Sequence, residues 1–243
     1  MVPKRIGILV PSTNTSVEAD FQRLLSDEVT VHSERLPIPD GTMTPGFLDE
    51  MNQGLATKVA LLAAAKVDMI AYACTSGSFY RGPRWDEEVR GIVQAAAGVP
   101  CVTTSTAVAQ AFAALGVGTI SVVTPYPEWT NRKLAEYYEG QGLRVLGVQG
   151  DARAAAHGHR AINDQDPSQI VEFARRHFDP QAQALFCSCT AWRAVECVDR
   201  LEAELGVPVV TSNQATIWAA LREIGMLRAA RPAGCLFAAA PVA

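Results

Sequence analysis

The stretch Gly98-Val-Pro-Cys-Val-Thr-Thr-Ser105 returns later in the chain, with small changes, as Gly206-Val-Pro-Val-Val-Thr-Ser-Asn213. The second copy begins 206 − 98 = 108 residues after the first. An alanine-rich segment of helical length follows each copy, ending at Gly116 in one case and at Gly225 in the other. A strand, a polar turn and a helix are thus repeated, which predicts a duplicated chain.

Two further pairs of segments support the duplication. Ile6-Gly-Ile-Leu-Val-Pro11 matches Ile120-Ser-Val-Val-Thr-Pro125 at an offset of 120 − 6 = 114 residues. Ala73-Cys-Thr75 matches Ser188-Cys-Thr190 at an offset of 188 − 73 = 115 residues. Shared strand and helix composition could produce any one of these matches, but three matches in one order at nearly one offset favour two similar halves.

Short apolar runs alternate with helix-length segments along the chain, a pattern typical of parallel sheets covered by helices. The predicted strands are Arg5–Val10, Val29–Leu36, Val67–Ala73, Pro100–Thr103, Thr119–Thr124, Leu143–Val148, Ala184–Ser188 and Pro208–Thr211. The longer helical segments include Leu48–Ala65, Asp86–Ala97, Pro127–Gln141, Ser168–His177, Ala191–Leu205 and Gln214–Ile224.

The repeat predicts an α/β fold of two similar lobes, each with a four-stranded parallel sheet. The lobes should be related by a pseudo-twofold axis and should enclose the active site in the cleft between them. We expect lobe one to contain residues 1–97 and 206–243 and lobe two to contain residues 98–205. The 243 residues are enough for two lobes of about 100–120 residues each.

The composition restricts the kinds of molecule that the protein is expected to bind. The net charge of −4 argues against nucleic acid, which needs a basic face. No segment approaches the roughly 18–20 consecutive apolar residues of a membrane span, and the apolar run Ile6–Val10 is shorter than the ~7–15 residues of a signal peptide's core. We therefore expect a cytoplasmic protein that acts on a small molecule, with its six cysteines as free thiols.

Polar residues follow four of the predicted strands. The segments at these strand ends are Pro11-Ser-Thr-Asn14, Cys74-Thr-Ser-Gly77, Pro125-Tyr126 and Cys189-Thr190. Because ligands bind beyond the carboxyl ends of parallel strands, facing lobes would bring two thiols to one site, with Asn14 and Tyr126 above them. The backbone amides of Thr75, Ser76 and Thr190 enter the following helices and could bind carboxylates there.

Two opposed thiols are suited to proton transfer and to addition to an electron-poor double bond. A thiolate can remove a weakly acidic proton or attack carbon, and a helix N-terminus should lower the pKa of Cys74 or Cys189 below its usual range. Free cysteines are often simply buried, which is the interpretation favoured for Cys101, Cys197 and Cys235. Cys187 lies two residues before Cys189 on the same strand, so it is an alternative for the second thiol.

The paired Cys-Thr motifs resemble those of the aspartate/glutamate racemase superfamily, a group of cofactor-independent racemases and isomerases. Pro11-Ser-Thr-Asn-Thr15 and Tyr72-Ala-Cys74 resemble maleate cis-trans isomerases. Thr75-Ser-Gly-Ser-Phe-Tyr-Arg-Gly82 and Ser188-Cys189 with Arg193 resemble arylmalonate decarboxylases. The resemblance covers nearly the whole chain, and its motifs are more specific for the superfamily than for one reaction.

The resemblance to maleate isomerases implies Cys74 as nucleophile and Cys189 as acid/base in the conversion of maleate to fumarate. It further implies that Asn14, Tyr126 and a second asparagine, Asn163, bind substrate carboxylates. A carboxylate pocket formed by Thr75, Ser76 and Tyr126 follows from the resemblance to the decarboxylases. A homodimer is expected from the resemblance alone.

Three other functions stay open. A racemase of aspartate, glutamate or a related α-substituted acid would use one thiol to remove the α proton and the other to return it. An arylmalonate-type decarboxylase is disfavoured, since decarboxylases of this kind have a glycine in place of Cys74. A bilobal sensor of small molecules would not need paired cysteines.

Cofactor motifs are missing from the sequence. There is no phosphate-binding loop, no Gly-x-Ser-x-Gly elbow and no cysteine spacing of a zinc pair. Neither an organic cofactor nor a metal is therefore expected.

Overall fold

Two four-stranded parallel sheets form the framework of the chain, as the repeat predicts. The computed structural model describes residues 2–39, 43–153 and 158–238. The first sheet has the strand order β2-β1-β3-β4 and the second has the order β6-β5-β7-β8. The strands are β1 (Lys4–Pro11), β2 (Val29–Leu36), β3 (Met69–Tyr72), β4 (Cys101–Thr103), β5 (Thr119–Thr124), β6 (Arg144–Gly150), β7 (Ala184–Cys187) and β8 (Val209–Thr211).

Helices cover both sheets. They are α1 (Ser16–Leu24), α2 (Pro45–Met51), α3 (Leu55–Ala64), α4 (Thr75–Phe79), α5 (Pro83–Ala97), α6 (Thr104–Ala114), α7 (Glu128–Gly140), α8 (Gly158–Asp164), α9 (Pro167–His177), α10 (Val198–Leu205), α11 (Ser212–Glu223) and α12 (Gly234–Ala238). Across the described ranges, no helix has the length and apolar character needed to cross a bilayer.

One predicted helix is wrong in its extent. The segment Leu48–Ala65 was expected to be continuous, but α2 ends at Met51 and α3 begins at Leu55. Gly54 separates them with φ of 69°, a left-handed conformation that interrupts the helix. The break allows α2 to turn toward the strand ends, where three of its side chains meet the site described below.

The strand pairing corrects the predicted lobe boundaries. Cys101–Thr103 was assigned to lobe two, yet β4 pairs with β3 in the first sheet. Likewise β8 was assigned to lobe one, yet it pairs with β7 in the second sheet. The chain therefore leaves each sheet only after its fourth strand, because the repeated Gly-Val-Pro stretch completes a sheet instead of starting one.

Helices α6 and α11 follow these fourth strands and pack against each other at the centre of the molecule. The hydroxyls of Thr104 and Thr216 are hydrogen-bonded across this contact at 3.0 Å. A large apolar core extends through both halves and includes Ile8 of β1 and Val122 of β5, both fully buried. The contact joins the two sheets into one packed unit and holds their carboxyl ends close together.

Candidate active site

A cavity opens between the two lobes at the carboxyl ends of the strands. Seven of the eight residues that the sequence singles out line it together: Asn14, Cys74, Thr75, Ser76, Tyr126, Cys189 and Thr190. These residues come from both halves of the chain, so the cavity exists only when the lobes are packed against each other. The eighth residue, Asn163, lies behind the cavity wall.

Cys74 follows β3 and immediately precedes α4. Its backbone is extended, with φ of −144° and ψ of 109°, and only 5% of the residue is exposed. The thiol lies 3.9 Å from the hydroxyl of Ser76 and interacts with the backbone amide of Gly77. Burial outweighs these donors and raises the pKa of Cys74 to about 11.

Cys189 occupies the equivalent place two residues after β7. The backbone amide of Ala191 donates to its sulfur at 3.4 Å, and the phenol of Tyr126 is a further donor. Burial again dominates and raises the pKa of Cys189 to about 11. The expectation of lowered thiol pKa values is therefore wrong, because both turns are closed off from water.

Tyr126 connects the two cysteine turns. Its side chain is buried and forms hydrogen bonds with the side chains of Thr75 and Cys189. Burial places the pKa of this phenol well above 10. The hydroxyl therefore keeps its proton at neutral pH and is a permanent hydrogen-bond donor at the cavity.

Ser212 was not identified from the sequence, although it holds both turns. Its hydroxyl oxygen accepts a hydrogen bond from the backbone amide of Cys189 at 3.0 Å and another from the Thr75 hydroxyl at 2.9 Å. The signal was present in the repeat, since Ser212 aligns with Thr104. The Thr104 hydroxyl donates to the carbonyl of Tyr72, just before the first cysteine, at 3.2 Å.

The two asparagines have different positions. Asn14 accepts from the amides of Ser16 and Val17 at the start of α1, and its side-chain nitrogen donates to the Thr190 hydroxyl at 3.1 Å. It thereby crosses from one lobe to the other.

Asn163, by contrast, holds the loop on which Asn14 lies. Its oxygen accepts from the amide of Thr15 at 3.0 Å, and its nitrogen donates to the carbonyl of Thr13 at 3.1 Å. Asn163 is not among the described residues that line the cavity. These contacts shape the Asn14 loop, and direct binding of substrate by Asn163 stays a prediction.

The other cysteines lie away from the cavity. Cys187 is fully buried in the apolar core, and burial raises the pKa of its thiol well above 9. Cys101, Cys197 and Cys235 are likewise not among the described lining residues. The geometry therefore favours Cys189 over Cys187 as the second thiol of the site.

The remaining wall is mostly apolar. Its residues are Pro11, Ile38, Met43, Phe47, Leu48, Met51, Ile162 and Ala191, together with the polar Thr13. Among the residues that the structure describes, no lysine, arginine or histidine lines the cavity. An anionic group bound there would be held by hydroxyl, amide and thiol donors, in surroundings where each such hydrogen bond is stronger than in water.

A model of the arylmalonate decarboxylase family matches residues 6–237 of the chain. The chain belongs to this family. The match spans both cysteine turns and both sheets, in agreement with the resemblance drawn from the sequence motifs.

Two relatives within this group carry different activities. The arylmalonate decarboxylase of Bordetella bronchiseptica is 30% identical over 234 residues, which cover 93% of each chain. The maleate isomerase of Nocardia farcinica is 30% identical over 244 residues, which cover 96% of this chain and 95% of the relative. Membership in the family therefore supports an isomerase or a decarboxylase without choosing between them.

Solved structures exist for both activities. One is a liganded arylmalonate decarboxylase variant, in which a glycine is changed to cysteine and a cysteine to serine. It is 29% identical to this chain, with a TM-score of 0.86 over 96% of this chain and 98% of that one. The other is a cysteine-to-serine variant of the Nocardia farcinica maleate isomerase with a covalently bound succinylcysteine intermediate. It is 25% identical to this chain, with a TM-score of 0.85 over 96% of this chain and 98% of that one.

We expect Gly77→Ala to disable the site while the protein still folds. A Cβ at this position would collide with the hydroxyl of Tyr72 and would lie 2.9 Å from both the Cys74 sulfur and the terminal methyl of Met51. Displacing the thiol should lower turnover by about a hundredfold. The measurements are steady-state turnover of the reaction proposed below and circular dichroism of the folded variant.

Gly91→Ala is the matched control. A Cβ at Gly91 meets nothing within 4 Å, and the residue lies inside helix α5. Turnover should be unchanged and stability equal or higher, because alanine favours helix by about 0.5–1 kcal/mol over glycine. If the Gly77→Ala variant kept the turnover of the wild type, activity would not depend on the present shape of the Cys74 turn.

Proposed function

We propose that the protein catalyses cofactor-independent cis-trans isomerisation of a small unsaturated dicarboxylate, with maleate to fumarate as the defining reaction. The observation that carries the proposal is the placement of Cys74 and Cys189 on one cavity between the lobes, at equivalent turns of two similar halves. The succinylcysteine intermediate of the Nocardia farcinica relative supports it, because such an adduct is what addition of a thiolate to maleate produces.

The reaction begins with the Cys74 thiolate. Its sulfur forms a bond to one alkene carbon, and the electron pair of the double bond moves to the other carbon and into the adjoining carboxylate. Cys189 then gives its proton to that carbon, which yields a succinyl thioether on Cys74. The former double bond is now a single bond and can rotate.

The return path reverses these steps in the trans geometry. The Cys189 thiolate removes the proton that was added, the double bond forms again, and the carbon–sulfur bond to Cys74 breaks. Fumarate leaves, and both thiols are in their starting state. No electron is gained or lost in the cycle, so the chemistry requires neither an oxidant nor a reductant.

Neutral donors stabilise the charge that develops on the carboxylate. The Tyr126 phenol, which stays protonated, is one donor, and the Ser76 hydroxyl lies on the adjoining turn. The Thr75 hydroxyl beside it donates its proton to Ser212. Thr190 and Asn14 bound the opposite side. Because the donors are fixed by the fold, they require little reorganisation when the charge appears.

The apolar wall has a separate role. Phe47, Leu48 and Met51 reach the cavity from helix α2 and are almost fully buried. They limit access of water, which would otherwise compete for the carboxylates and protonate the carbanion from solvent.

Arylmalonate decarboxylation is the second candidate, favoured by the family match and by the relative from Bordetella bronchiseptica. Cys74 argues against it, since the family resemblance places a glycine there in decarboxylases. A two-thiol racemase would use the same cavity without forming a bond to carbon. The next two variants separate these mechanisms.

We expect Cys74→Ser to lose at least about a thousandfold in turnover, because a serine hydroxyl is not ionised near neutral pH and adds poorly to alkenes. Turnover of maleate is followed by the loss of its vinyl proton signal. Cys235→Ser is the control, since it makes the same chemical change at an exposed thiol outside the cavity.

Cys189→Ser should react once and then stall. In this variant the carbanion formed by addition of Cys74 takes its proton slowly from solvent, and no thiolate is present to remove that proton again. The adduct on Cys74 therefore accumulates, and intact-protein mass spectrometry should show an added mass equal to one maleate. Peptide mapping assigns the modified residue. An adduct on Cys189 in the Cys74→Ser variant would exchange the roles of the two thiols. Exchange of an α proton without any adduct would move the assignment to proton shuttling by a racemase.

The pH dependence follows from the raised thiol pKa values. Both cysteines are protonated at pH 7, and the thiolate form of Cys74 increases as pH rises toward its pKa of about 11. We therefore expect kcat/KM for maleate to rise about tenfold per pH unit between pH 6 and 8. A flat profile over this range would contradict attack by a minor thiolate form.

A further inference from the structure

A carboxyl group, Asp20 of α1, lies buried behind the Cys189 turn. It is 2% exposed and takes no part in the proposed reaction. The side-chain nitrogen of Asn213 donates to one oxygen of Asp20 at 2.7 Å and to the carbonyl oxygen of Thr190 at 2.9 Å. One amide thus connects a buried carboxyl to the backbone directly after Cys189.

The first lobe lacks this feature at the equivalent place. Ser105 aligns with Asn213 in the repeat, and its hydroxyl donates to the carbonyl of Thr75 at 3.4 Å. Its other partner is the hydroxyl of Ser78, at 2.5 Å. Both lobes therefore hold the carbonyl of the residue after the cysteine from the helix that follows the fourth strand, α6 in the first lobe and α11 in the second. In the second lobe the same side chain also binds the carboxyl of Asp20.

The orientation of the Asn213 amide depends on that group. Its oxygen is buried and has no hydrogen-bond partner among the described residues, so only the nitrogen side is satisfied. An ionised carboxylate only accepts hydrogen bonds, and it therefore fixes the nitrogen toward itself and toward Thr190. A protonated carboxyl can donate to the amide oxygen instead, and the flipped amide would leave the Thr190 carbonyl without its donor.

We propose that Asp20 is a positioning residue for proton transfer by Cys189, acting through Asn213 on the Cys189–Thr190 turn. The turn carries the amide of Ala191, which donates to the Cys189 sulfur. Its orientation therefore decides whether the sulfur is stabilised when it releases its proton. The proposal rests on the function proposed above, in which Cys189 is the acid/base.

The surroundings of Asp20 place its titration in the physiological range. Burial raises the pKa of Asp20 to about 7, opposed by the hydrogen bond from Asn213 and by the nearby Arg23. Arg23 lies 3.0 Å from the carboxyl on its own helix, while Glu196 and Arg193 face it from the segment before α10. The ionised, orienting form therefore predominates above pH 7.

Asp20→Asn tests the proposal with little change in size. The new amide can both donate and accept, so it no longer fixes Asn213. We expect kcat for maleate at pH 8 to fall about tenfold, as for the loss of one hydrogen bond to a charged group. In the wild type, the pH profile of kcat should show a step centred near pH 7, in addition to the steady rise of kcat/KM that follows from the Cys74 thiolate. This step should disappear in the variant. A variant that keeps this step would overturn the proposal.

Asp86→Asn is the matched control. Asp86 is equally buried, at 2% exposure, and it accepts from the hydroxyls of Thr103 and Thr106 at the start of α6. Its bonds do not reach a cysteine turn. The control should lose stability in urea as Asp20→Asn does, yet keep the wild-type pH profile, which separates positioning from a merely structural contribution.

Two readouts do not depend on the reaction. The side-chain amide signals of Asn213 in ¹⁵N NMR should titrate near pH 7 in the wild type and not in Asp20→Asn. Alkylation of Cys189 by iodoacetamide at pH 8, followed by peptide mass mapping, should be about tenfold slower in the variant, with Cys74 unchanged. If maleate is not a substrate, these readouts still decide the proposal, and Asn213 signals that do not titrate would contradict it.

Discussion

The hydroxyl of Ser212 is the point at which the two halves of the site are joined. It accepts from the amide of Cys189 and from the hydroxyl of Thr75, the neighbour of Cys74. Ser212 begins α11, which packs against α6 in the middle of the molecule. The relative placement of the two thiols therefore depends on the first residue of one helix and its two hydrogen bonds, and the rest of the cavity is arranged around them.

The closure that brings the thiols together also keeps them protonated. Both cysteines are almost fully buried, and the donors around each sulfur do not offset the loss of water. The proposed chemistry then proceeds through a minor thiolate form. Each hydrogen-bond donor near a sulfur therefore has a large effect on the stability of that thiolate. The Tyr126 phenol and the Ala191 amide are such donors, and neither changes its charge near neutral pH.

The alternation of apolar runs with helix-length segments was sufficient to predict all eight strands, and the repeat predicted the meeting of the two Cys-Thr turns, because strand pattern and loop chemistry are local properties of the sequence. The sequence did not predict that the chain leaves each sheet only after its fourth strand, at Thr103 and at Thr211. This depends on which sheet edge the fourth strand joins. Ser212 and the Asp20–Asn213 pair were missed for a related reason. Their partners lie far away in sequence, at separations of 23 residues for Ser212 to Cys189 and 193 residues for Asn213 to Asp20. The thiol pKa values were misjudged because local position at a helix start says little about burial.

The most direct test of the proposed isomerase is an NMR incubation in D₂O with maleate, aspartate, glutamate and phenylmalonate in parallel. Maleate should be converted to fumarate, while aspartate and glutamate keep their α protons and phenylmalonate keeps both carboxyl groups. Exchange of an α proton of an amino acid would indicate a racemase. Loss of carbon dioxide from phenylmalonate, with maleate unchanged, would contradict the isomerase assignment.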